Sequence, residues 1–129
     1  MDGANNAVPI SPDFINFFNL YILSLSLPCL QATSQAFWIA VDFGQTGETG
    51  LNEDEEKTIT SNLQHLIGQI MPQACAVHSL LSCLMYVHKG PAFLAGAHMQ
   101  LESLLSRIKV EENELGAYLS VNKELRKSS

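Results

Sequence analysis

The chain has 129 residues, 47% of them apolar and only 16% charged, and its net charge is −6. That length suits one domain with one core, and that apolar fraction argues against intrinsic disorder. Residues 1–88 carry eight acids against one base, and residues 89–129 five acids against six bases. Most of the chain therefore repels phosphate, so nucleic acid is not an expected partner.

Three cysteines, an odd number without a secretory leader, read as reduced thiols in a cytoplasmic setting. Residues 1–10 show no periodicity and are expected to be a loose arm. Ser11-Pro12-Asp13 then reads as a helix start, with Ser11 as N-cap and Pro12 at the first helical position.

From Phe14 to Val41, 28 residues pass without a charged side chain, between Asp13 and Asp42. Such a segment must be covered by something. A membrane span is not expected: Asn16, Asn19, Ser24, Ser26, Gln31, Thr33, Ser34 and Gln35 interrupt the run, Pro28 cuts it, and no Lys or Arg precedes Lys57. Asn16, Asn19, Leu23 and Ser26 fall on one narrow strip of a helix, and the rest of the circumference is apolar, as in a core or interface helix. Pro28 is expected to kink or break this helix. Residues 37–41 suit either a second helix or, by propensity, a strand.

Three glycines within residues 44–50 mark a linker loop, taken as 44–52. Asn52 follows as N-cap of a helix whose first turn holds Glu53, Asp54, Glu55 and Glu56, with Glu55 in the capping-box position. Acids there complement the helix dipole, and they read as solvated rather than as a metal site. Leu63, Ile70, Val77 and Leu84 then repeat every seven residues, accompanied by Ile67, Ala74 and Leu81. After Lys89-Gly90-Pro91 a second series runs through Leu94, Leu101, Ile108, Leu115 and Asn122, with Ala97, Leu104, Tyr118 and Leu125, interrupted by Glu111. Gly then Pro is the punctuation of a tight helix–helix turn. The two segments should pack antiparallel about Gly90, setting Val77 near Leu104, Ile70 near Ile108 and Leu63 near Leu115. Pro72 should disturb the first of them around residues 68–71. Lys123, Arg126 and Lys127 read as bases at a helix C-terminus, with fraying from residue 126.

No catalytic motif emerges. Ser79 and Ser82 lie in mid-helix with no acid nearby in sequence, and the loop at 44–50 has an acid and no Lys where a phosphate loop needs the reverse. Cys75, His78, Cys83 and His88 point to about 0°, 300°, 80° and 220° around a helix, so one face does not collect them, although His98 could join from an opposite helix. Neither a metal nor another cofactor is expected.

The expected architecture is all-α: a single domain forming an elongated bundle of three long helices, or four if Pro28 breaks the first. The expected function is non-enzymatic protein–protein interaction, as a small adaptor, chaperone-like or inhibitory protein, and as a homodimer. Its candidate interface is Phe14, Phe17, Phe18, Tyr21, Leu25, Phe37 and Trp38. The alternatives are a membrane-associated helical protein using residues 14–30, and a bundle that binds an apolar ligand or a metal.

Overall fold

A computed structural model describes residues 11–88 and 92–128, and its order of elements is α1 (Pro12–Thr46), α2 (Glu53–His65), a π turn (Leu66–Ile70), α3 (Met71–His88) and α4 (Ala92–Ser128). The expected arm at 1–10, the Lys89-Gly90-Pro91 turn and Ser129 lie outside the described residues. With α2, the π turn and α3 joined end to end, the protein is a bundle of three long helices, and no strand occurs among the described residues.

Helix α1 begins as its sequence implies: the Ser11 hydroxyl accepts from the Asp13 N–H at 3.1 Å, and Pro12 opens the first turn. Three of its hydroxyl residues fit within it, because the hydroxyls of Ser24, Ser26 and Thr33 donate to the carbonyls of Tyr21, Ile22 and Cys29. They are thereby satisfied within the helix itself. Pro28 does not break the helix, and residues 37–41 are helical, not a strand. The reason is packing. Ile22, Leu25, Cys29, Ala32, Ala36 and Ile39 are buried along one side, in steps of three and four that pass straight through Pro28. An internal proline costs about 3 kcal/mol. Burying a large aliphatic side chain contributes about 1.5–3 kcal/mol, so the stripe on both sides of Pro28 outweighs the lost hydrogen bond. The helix ends at Gly47, whose φ of 75° suits glycine and whose N–H donates to the Phe43 carbonyl. The loop therefore starts at Gly47 and not at Gly44.

The reciprocal capping box at Asn52 and Glu55 forms as expected, with bonds of 2.8 and 3.0 Å. The antiparallel hairpin holds as well. Glu56 bonds Asn122, Ser82 bonds His98 and Arg126 bonds Glu56, pairs whose midpoints fall at positions 89, 90 and 91. The disturbance expected before Pro72 takes the form of the π turn, in which the Met71 N–H donates to the Leu66 carbonyl, five residues back. A wider turn relieves the clash of the Pro72 ring with the carbonyl of Gly68. It also absorbs one extra residue, so the buried series runs Ile59, Leu66, Ile70, Ala74, Leu81, with two successive steps of four. Leu66 therefore takes the seam position assigned to Ile67, which is only half-buried.

Helix α1 lies parallel to α4. Phe18 meets Phe93 at 5.7 Å between ring centroids, and Phe43 meets Tyr118 at 6.1 Å. The offset is 75 residues in both cases (93 − 18 and 118 − 43), so the pairing does not slip over that length. Two acids are inside. Glu56, read as solvated with the rest of its first turn, is buried, and Glu111, read as interrupting the second series, keeps a place in the α4 seam at 1% exposure, with its Oε2 lacking a hydrogen-bond partner. The tail expected to fray from residue 126 is helical through Ser128.

Candidate functional site

The bundle leaves one side of α1 uncovered. Leu20, Leu23, Leu27, Leu30 and Phe37 follow the same three–four rhythm as the core stripe, displaced by two residues, and therefore lie on nearly the opposite side of the helix. With Trp38 beside them, these side chains are 49–66% exposed. Phe14 and Phe17 extend the apolar surface toward the N-terminal end. Next to this face, α1 and α4 enclose an open groove of about 870 Å³, lined by Leu23, Ser26 and Leu30 on one wall and by Gly96, Met99 and Ser103 on the other.

The residues expected at an interface separate into three groups. Phe14, Phe17, Phe37 and Trp38 are exposed, and the last two pack edge to face at 5.5 Å. Phe18 is half-buried between Phe14 and Phe93, and the half-buried Tyr21 donates its hydroxyl to Gln73 Oε1 at 3.2 Å. Leu25 does not belong to the face at all. At 2% exposure it is a core residue, because its angle on α1 points into the hairpin. Leu20, Leu23, Leu27 and Leu30 were missed, Leu23 because it shares its strip with Asn16, Asn19 and Ser26, yet their signal was present as a second stripe two residues out of phase with the first.

Two polar clusters sit between α4 and the helices antiparallel to it. Near the α1–α2 loop, Thr49 donates to Asn122 Oδ1, Asn122 Nδ2 donates to Glu56 Oε2 at 2.7 Å, and Arg126 donates to Glu56 Oε1 at 2.7 Å. Arg126 is thus more than a dipole-complementing base: it closes a buried network that fixes helix register. Toward the other end, His78 and His98 stack with centroids 4.0 Å apart, Ser82 Oγ lies 2.8 Å from His98 Nε2, and His98 Nδ1 lies 3.2 Å from Glu102 Oε1. The acid that Ser82 lacks in sequence is therefore supplied across the hairpin. A Ser–His–Glu chain has the connectivity of an activated nucleophile. Ser82, however, is inside α3, where the ladder consumes the backbone N–H groups that would have to hold an oxyanion. Cys75 and Cys83 are exposed free thiols that belong to neither cluster, and Cys29 is a buried one. Burial pushes the Cys29 thiol up to about 11, with the Glu111 carboxylate adding to the rise and Arg107 opposing it.

No family model, curated protein or solved structure matches this chain. Fold and face together define its class: an all-α, three-helix bundle with one unpartnered apolar helix face.

Proposed function

We propose that the protein is a non-enzymatic interaction module, an adaptor or regulatory bundle that pairs with a second copy of itself through the outer face of α1. The observation that carries this reading is the exposed stripe at Leu20, Leu23, Leu27, Leu30 and Phe37, with Phe14, Phe17 and Trp38 beside it. Large apolar side chains offer up to about 150–250 Å² each, so eight of them, roughly half to two-thirds exposed, present on the order of 1,000 Å². A monomer rarely exposes more than a few hundred Å² in one patch, and a stable interface takes about 800 Å² from each partner. The stripe is also self-complementary. A twofold axis near Pro28 would set Leu27 against Leu30 and Leu20 against Phe37 of the second copy, without bringing a charged side chain into the seam. The three free thiols support a reducing, cytoplasmic setting for that dimer.

A membrane-associated role is the second reading, favoured by one observation: α1 is long and apolar enough to cross a membrane by length and composition, and only 17% of its most apolar window is buried. The absence of any Lys or Arg from residues 1–56 weighs against an interfacial helix, which carries bases on its polar side. Light scattering on detergent-free protein tests the two. A mass of twice 14.2 kDa, returning to the single-chain mass in Leu27→Glu/Leu30→Glu with helicity unchanged, supports the dimer. A wild type that is monomeric at high concentration overturns it, and flotation of that monomer with lipid vesicles transfers the face to a membrane.

A further inference from the structure

We propose that His78, His98 and Glu102 form a binding site for a divalent transition metal, with zinc as the fitting ion. One ligand atom from each of the three residues lies within 4.8 Å of the others. The donor set is two imidazoles and one carboxylate, which suits zinc and leaves a fourth position for water. The hairpin builds the site from two pairs at i, i+4. His98 and Glu102 occupy one face of α4, while His78 and Ser82 face them from α3. The sequence suggests that His98 could join His78 from an opposite helix, whereas Glu102 enters only because it lies one turn beyond His98 on the same face.

One arrangement of the hydrogen bonds leaves room for a cation here. Ser82 Oγ is 3.0 Å from the His78 carbonyl and 2.8 Å from His98 Nε2, and its hydroxyl has one proton to donate. When that proton goes to the carbonyl, as serine hydroxyls in helices commonly bond the residue four back, Ser82 accepts from His98 Nε2–H. The Nδ1 lone pair of His98 then faces the Glu102 carboxylate at 3.2 Å with no proton between them. A zinc ion with bonds of about 2.0–2.1 Å spans tetrahedral ligands about 3.3–3.4 Å apart, so it fits between these two atoms almost without movement. His78 supplies the second independent sign: its Nε2 is shielded from solvent and has no hydrogen-bond partner. The χ2 well of His78 is broad, and a turn that carried a ring nitrogen to the third position would end its stacking on His98. Ser82 remains as the outer partner that holds the proton on His98 Nε2 and thereby fixes the tautomer.

The test is calorimetric titration of ZnCl2 into the full chain carrying Cys75→Ser and Cys83→Ser, which removes the exposed thiols as competing ligands. The expected result is one zinc per chain. His98→Ala should weaken binding by at least about a hundredfold, beyond what loss of an outer partner costs, and His65→Ala should leave it unchanged. Glu102→Gln, at an exposed side chain, keeps the test valid if His98→Ala does not fold, and should weaken binding at least about tenfold. In nuclear magnetic resonance spectra, zinc should shift the imidazole signals of His78 and His98 together as the stack opens, leaving those of His65 in place. Absence of zinc binding in the thiol-free protein, or binding that survives Glu102→Gln undiminished, overturns the site.

Discussion

Ile22, Leu25, Cys29, Ala32, Ala36 and Ile39 occupy one side of α1 and are buried, whereas Leu20, Leu23, Leu27, Leu30 and Phe37 occupy the other and are exposed. Spacing does not distinguish the two stripes, and neither does apolar character. Size differs only in the middle, where Cys29, Ala32 and Ala36 are small and let α1 approach α4, while Ile22, Leu25 and Ile39 match the outer leucines. By the same 75-residue offset that pairs Phe43 with Tyr118, Ala36 stands level with Glu111, so a small residue makes room for a buried carboxylate. The outer stripe is made of Leu and aromatic side chains, which project and need a surface to receive them. A helix that is apolar all round is ordinarily buried all round, and here the chain itself covers only half.

The largest effect separates the stripes directly. Leu25→Asp places an unpaired charge in the core and should unfold the domain, at a cost above about 4 kcal/mol. Leu27→Asp, at a side chain 55% exposed, should leave the unimolecular stability within about 0.5 kcal/mol of the wild type. Thermal melts at low protein concentration, where a dimer would dissociate, read both. Equal melting temperatures for the two variants would erase the distinction between inner and outer.

Next in size is Pro28, which lies between the stripes. Pro28→Ala restores a backbone donor for the Ser24 carbonyl and should raise stability by about 1–3 kcal/mol, measured by urea unfolding. A loss of stability would instead mean that α1 needs the proline for the inner stripe to follow α4.

The smallest effect concerns the Cys29 thiol, raised from 9.0 to about 11. The native state holds this proton to higher pH than the unfolded chain does. The resulting stabilisation is therefore complete below pH 9 and disappears as pH climbs through about 11. At pH 8 the thiolate fraction of Cys29 is lower than that of an unperturbed thiol by roughly a hundredfold. Cys75 and Cys83 should thus be alkylated well before Cys29, as mass spectrometry of a labelling time course would show. Rapid labelling of Cys29 in the native protein would place it outside the inner stripe.

Local signals were legible wherever one segment sufficed to produce them. The caps at Ser11 and Asn52 are made by residues within three positions of the groups they satisfy. The hairpin register was readable because two heptad series joined by a short turn can align in only one way. Pro28 left the choice between three and four helices open, because a local rule gives its penalty while the compensation is spread over six core residues on both sides of it. Leu66 displaced Ile67 from the seam because the π turn at Pro72 shifted the phase by one residue, and heptad counting cannot anticipate such a shift.

Periodicity and capping are properties of neighbours in sequence, so the chain by itself determined that it is helical, where its helices begin and how the hairpin pairs. Only the tertiary structure decided which of two equivalent stripes on α1 faces inward, since both satisfy the same spacing and the choice depends on the shape of α4. It also decided that Glu56 joins Arg126 and Asn122 in a buried network, although its position marks it equally well as a solvated first-turn acid. His98, Glu102 and His78 came together for the same reason. The antiparallel crossing of two helices brings distant residues within a hydrogen bond of one another, and no window along the chain contains that geometry.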